Sequence, residues 1–158
     1  HGCLVGSEMC IRDSNKVLNI FDIPVMSEGK KNKRQLNSAL LVNLLKENIN
    51  KEEEVAVVVE QVNAMPGQGV TSMFNFGQTF GALKGICAAL ELPIFFVRPS
   101  KWKKHFELIN SSKDASRTKA IEMYPKLSNQ LSKKKDVNKS DAILIARFFS
   151  ETRLIEEK

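Results

Sequence analysis

Two carboxylates stand where carboxylates are costly. Glu60 closes "VAVVVE" (55–60), the most apolar run of the chain. An ionised group beside a buried strand must be paired or must hold a cation. Asp141 opens "DAILIARFFSETRL" (141–154), and at helical spacing it shares a face with Leu144, Ile145 and Phe148. That places an acid at one end of an apolar, core-facing stripe. Each has an ordinary explanation. Glu60 can lie exposed in the loop that follows, and an acid in a first helical turn is favoured by the helix dipole. Together they say more. Sites in α/β sheets form at the carboxyl ends of central strands, where Glu60 stands. Carboxylates converging there repel one another unless a divalent cation lies between them. Oxygen ligands suit Mg²⁺, which is commonly held by one or two carboxylates plus substrate phosphates. Zinc is disfavoured, because His1 is terminal and His105 stands alone.

The basic residues are not evenly spread. Lys101, Lys103 and Lys104 surround Trp102, Lys113 opens a helix, and Lys133, Lys134 and Lys135 lie just before Asp141. Any one such run is usually a solvated face. Three clusters in loops around one acidic site are what a metal nuclease needs, cations gripping phosphates while carboxylates hold metal. Trp102 reads as a packing residue rather than a base-stacking one.

These residues need elements to position them. "KVLNIFDIPV" (16–25) reads as a strand ending near Pro24, and "SEGKKNKRQLN" (27–37) as a charged loop. "NSALLVNLLKEN" (37–48) is an amphipathic helix with Asn37 as its N-cap. The unbroken β-branched run at 55–60 suits a strand buried on both faces, at the centre of a sheet flanked by helices. "QVNAMPGQGV" (61–70) is a Gly/Pro loop without the remaining glycines of a dinucleotide fingerprint. A long helix follows at 71–91, with Phe76, Phe80, Leu83, Cys87 and Leu90 down one side. "LPIFFVRP" (92–99) is another strand, and "SKWKKHF" (100–106) a short basic segment. The rest is a helix at 111–124, a basic loop at 131–140 and the last helix from Asp141. Strands alternating with helices make one α/β domain with a mixed or mostly parallel sheet.

Bulk properties agree. The 158 residues fit one domain, and Lys and Arg outnumber Asp and Glu by 24 to 18, a net charge of +6 that favours an anionic partner. Three cysteines without metal-like spacing point to a reducing compartment. No apolar run reaches the roughly 18 residues of a membrane span, and Gly6, Ser7 and Glu8 interrupt the start too early for a signal peptide.

Five segments, in order, carry a family resemblance: the strand ending "EQV", "FGQTFGAL", "LPIFFVRPSKWKK", "KDASRTKA" and "KSDAILIA". Over about residues 15–150 the chain resembles the RuvC-like Holliday-junction resolvases. The resemblance implies a ribonuclease-H-like fold, a five-stranded mixed sheet flanked by helices. It also implies a cytoplasmic homodimer, in a bacterial or phage-infected cell, that nicks four-way DNA junctions. Two Mg²⁺ ions (or Mn²⁺), about 3.5–4 Å apart, activate the attacking water in such a site. Glu60 matches the family's second acid and Asp141 its last. Lys103 and Lys113 fall where the family has DNA-contacting lysines, with Lys104 beside them. The helix at 71–91 matches the one that helps form the dimer interface.

The chain also departs from the family. Three residues before the last acid the family has Asp or His; here Asn138 offers a neutral oxygen, and Asp136 is an alternative ligand. Near Asn63 some members carry a junction-wedging aromatic, which Asn63 cannot imitate, although Met65 is close by. The family's first strand carries an Asp-Pro-Gly-like motif with the first metal ligand. "HGCLVGSEMCIRDS" (1–14) has none; Asp13 belongs to a turn, and Glu8 is the one conceivable stand-in. That stretch resembles translated sequencing-adapter read-through joined to a truncated gene. The expectation is therefore a non-native segment at 1–14, a single nuclease domain at 15–158, and a first catalytic strand missing or replaced. The native form would cut, and this exact chain would be impaired. Two other functions stay open: a non-catalytic binder of branched DNA, and a related nuclease acting on RNA–DNA hybrid or damaged duplex.

Overall fold

The computed structural model describes the backbone from Gly2 to Glu156 apart from residues 6–7, 14–15, 23, 29–32, 51, 62 and 64. Side chains are described from Ile20 onward, excepting also residues 25, 27–28, 33–34 and 154–156. Strands β1 (Gly2–Val5), β2 (Glu8–Asp13) and β3 (Lys16–Asp22) precede a hairpin of β4 (Val25–Glu28) and β5 (Lys33–Leu36). Helix α1 (Ser38–Asn48), strand β6 (Val57–Glu60), helix α2 (Val70–Ala89) and strand β7 (Ile94–Val97) follow. Helices α3 (Pro99–His105), α4 (Ala115–Met123) and α5 (Val137–Glu156) complete the chain. The main sheet has the order β3-β2-β1-β6-β7. Its first three strands are antiparallel, and β1, β6 and β7 run parallel. This is the mixed five-stranded α/β sheet expected from the sequence.

The centre of the sheet decides between two expectations. The first strand was expected to be either missing or replaced. Gly2–Val5 fill it, pairing Cys3 with Val58 on one side and with Cys10 on the other. The reason is local. "GCLV" and "EMCIRD" are short, partly apolar runs close in sequence, and they pair antiparallel with Leu4 opposite Met9. The strand is thus replaced rather than missing, and its replacement carries no carboxylate. Glu8 and Asp13 lie in β2, but their side chains fall outside the described residues.

Side chains alternate across β6 and divide the core. Val57 and Val59 pack with Leu41 and Leu45 of α1 and with Leu83, Ile86 and Cys87 of α2. Ala56 and Val58 face the other way, into a layer with Trp102, Ala120, Leu131, Ile143, Leu144 and Ile145. Val58 is fully buried and Val57 nearly so, as the β-branched run required. By the same period of two, Glu60 projects on the Val58 side, toward α3 and α5.

Three local expectations change. The charged stretch 27–37 is not all loop, because β4 and β5 pair antiparallel, with Met26 opposite Gln35 and Val25 opposite Leu36. The basic segment after β7 is a helix, opened by Pro99 in its first turn, where proline's fixed φ suits it. The loop at 131–140 ends early, because α5 begins at Val137. A 3-10 turn (Lys134–Asp136) leads into α5, and there the Asp136 carboxylate accepts the Lys133 N–H at 2.9 Å. The Ser140 hydroxyl donates to the Asp136 carbonyl at 3.1 Å. Asn37 caps α1 as expected, its Oδ1 accepting the Leu40 N–H at 3.1 Å.

Candidate active site

Glu60 ends β6, paired in register with Val97. Its Oε1 accepts a hydrogen bond from Trp102 Nε1 at 3.0 Å. Trp102 is fully buried, so its N–H needs a partner inside the protein. Glu60 is therefore not the loose loop residue of the ordinary explanation. Asp141 lies in the second turn of α5, too far along the helix for a first-turn dipole to account for it. Its neighbours Ala142, Ile143, Leu144 and Ile145 are fully buried.

Burial pushes the Asp141 carboxyl up to about 6. The Ser116 hydroxyl pulls it partly back, the charge of Glu60 raises it further, and Lys103 lowers it. One hydroxyl, one carboxylate and one ammonium thus stand close enough to Asp141 to be felt. Ser116 Oγ is buried, and its hydroxyl bears on Asp141, whose charged form it favours. Burial also pushes Asp136 up, but the Lys133 N–H and Lys139 outweigh it and hold its carboxyl low. Lys139 Nζ lies 3.5 Å from Asp136 Oδ1. Both oxygens of Asp136 are thus engaged, whereas Asn138 is exposed one turn before Asp141.

The basic residues sit around this pair unevenly. Lys103 Nζ lies 5.5 Å from the Trp102 ring centroid, and its charge bears on Asp141. Lys104 is exposed on the same helix. Lys113 is exposed three residues before Ser116, and Asn63 is exposed in the loop leaving Glu60. The structure gives neither a contact with the acids.

Two polar clamps hold the supporting helices. His105 of α3 meets Glu151 of α5, Nε2 to Oε2, at 2.6 Å. Arg147 bonds the same carboxylate and donates to Tyr124 Oη at 3.3 Å. On α4, Arg117 pairs with Asp114 at 2.7 Å and donates to the carbonyls of Leu131 and Ser132. That ties α4 to the segment entering α5. Sequence reasoning singled out neither Ser116 nor the Glu60–Trp102 bond. Ser116 was one hydroxyl among several at a helix start, and Trp102 was legible only as a packing residue.

Among the described residues, no three His, Cys, Asp or Glu side chains group closely enough to hold a metal ion. Among them, too, no helix is long and apolar enough to cross a membrane.

No family model matches the chain, and no curated protein does. Among solved structures, RuvC of T. thermophilus in complex with a Holliday junction substrate is similar at 15% identity, with a TM-score of 0.49. The match covers 96% of this chain and 93% of that one. A likeness at this level decides neither family nor substrate.

Proposed function

We propose that the chain is a divalent-cation-dependent endodeoxyribonuclease acting on four-way DNA junctions as a homodimer. The observation that carries it is the convergence of Glu60 and Asp141, with Lys103 beside them, at the carboxyl end of a buried central strand. The choice of a four-way junction rests on the five segments of sequence resemblance. The donor set fits an oxygen-seeking ion: two carboxylates, one raised by burial and by the other, and a buried hydroxyl at Ser116 beside Asp141. Glu60 and Asp141 would hold it, with Ser116 and the neutral oxygen of Asn138 at hand; Mn²⁺ would substitute for Mg²⁺. When bound, such an ion supplies Lewis-acid activation of a water and neutralises charge building on the phosphoryl oxygens. Lys103 adds a fixed positive charge at the same place. Lys104 and Lys113 would grip flanking phosphates, and Asn63 would face the junction.

The residues fit one protein-held ion better than two. β1 brings no carboxylate beside Glu60, and both Asp136 oxygens are already engaged. The same observation favours a second reading, a domain that binds branched DNA without cutting it. Nicking assays on a synthetic four-way junction separate the two. In the proposed function, Mg²⁺-dependent nicking is lost in Glu60→Gln and in Asp141→Asn while junction binding persists. A wild-type chain that binds the junction and never nicks it belongs to the second reading.

A further inference from the structure

We infer that Trp102 is a positioning residue for Glu60: its indole N–H fixes one carboxylate oxygen and so presents the other to a divalent cation. The inference rests on the metal-site reading above. Three features of the contact support it. First, the indole is a donor only and carries no charge. It therefore orients Glu60 without neutralising it, as a lysine or arginine partner would. Second, the ring cannot drift. Trp102 is fully buried in the layer that contains Val58, Leu131 and Ile143, and its helix is anchored to α5 by His105 and Glu151. Third, the bond spends only Oε1, which leaves Oε2 for a ligand.

A carboxylate at a strand end otherwise rotates about its last torsion, and an ion then has to freeze it on binding. Partners that orient metal ligands commonly change metal affinity about 10–100-fold when removed. A plain structural alternative exists: a buried indole N–H must find an acceptor, and Glu60 would serve as one whether or not it binds metal. The two differ in what happens to metal affinity.

The test is calorimetric Mn²⁺ binding to the wild type, Trp102→Phe, Glu60→Gln and the double variant, with thermal midpoints alongside. Phe keeps most of the apolar volume and removes the donor. Trp102→Phe is expected to weaken Mn²⁺ binding by about tenfold or more, and to add nothing further in the Glu60→Gln background. If Trp102→Phe binds Mn²⁺ like wild type while Glu60→Gln has lost it, positioning is overturned and the metal site stands. A Trp102→Phe effect that persists undiminished in the Glu60→Gln background also overturns it, marking a general loss of packing. If Glu60→Gln binds Mn²⁺ normally, the metal reading falls and the inference with it.

The wild type supplies a second measurement that needs no substitution of Trp102. It is the chain's one tryptophan, so tryptophan emission reports on the surroundings of this one indole, Glu60 among them. Saturating Mn²⁺ should quench it, and the quenching should vanish in Glu60→Gln. An emission indifferent to Mn²⁺ overturns the inference even if Trp102→Phe fails to fold.

Discussion

Asp141 is held where its charge is unwelcome, and that has a measurable cost. Its carboxyl is raised from the usual 3.8 to about 6, first by burial and further by Glu60. A raised carboxyl favours the fold while protonated. That stability is complete below about pH 4 and is lost as the pH rises through 6. At pH 7.5 the apo protein therefore carries an unfavourable contribution of roughly 2 kcal/mol, allowing for partial solvent screening. Asp141→Asn should remove it. Urea unfolding is expected to show the variant more stable by about 1–2 kcal/mol at pH 7.5, with the gain vanishing near pH 4. Less stability for the variant at pH 7.5 would show that Asp141 is structural. Nicking by the wild type should also fall as the pH drops through about 6, because a protonated carboxyl does not hold a cation. Both acids were legible in the sequence because each interrupts an apolar pattern. Trp102 as the partner of Glu60 was not, since 42 residues separate them and only the fold brings α3 against β6.

At the level of elements, the site depends on three helices held in register. α5 carries Asp141, α4 carries Ser116 and α3 carries Trp102 and Lys103. Glu151 is the common anchor of α3 and α5, receiving His105 and Arg147 at once. Burial opposes its charge, but those two partners outweigh burial and hold its carboxyl below the usual carboxylate range. A lowered carboxyl contributes stability that is present above about pH 4.5 and is lost as the pH falls through its folded value. Glu151→Ala should cost about 1–2 kcal/mol at pH 7.5, a fall in thermal midpoint of roughly 2–6 °C, and the gap should narrow in acid. A midpoint unchanged at pH 7.5 would mean the clamp is a solvated pair with no hold on α3. Most elements were visible beforehand because periodicity and Pro/Gly punctuation mark them, as for α1, β6 and α2. The failures share a cause. The β4–β5 hairpin is polar, and the start of α5 is set by a capping contact at Asp136, so neither has an apolar period to read.

At the scale of the whole molecule, α2 presents a face that the monomer does not use. Leu83, Ile86 and Cys87 are buried. On the opposite side Val70, Phe74, Gly77, Gly81 and Gly85 follow one another at spacings of four, three, four and four, one stripe of a helix. Val70 is 84% exposed and Phe74 65%. A Cβ added at any of the three glycines would meet nothing within 4 Å among the described residues. Each interior glycine costs a helix about 1 kcal/mol relative to alanine, so the monomer carries roughly 2–3 kcal/mol that its own packing does not require. Close approach by the α2 of a second copy would explain both the glycines and the exposed apolar side chains. It would also give the proposed enzyme two sites for two strands. Sedimentation velocity at micromolar concentration should show a dimer for the wild type and a monomer for Gly81→Leu and Phe74→Glu, each with unchanged circular dichroism. Because Glu60 and Asp141 lie on other elements, both monomers should keep Mn²⁺ affinity and should lose only the second, coordinated nick of a junction. A wild type that sediments as a monomer would leave the glycine stripe without this explanation, and a single site would then have to cut the two strands one after the other.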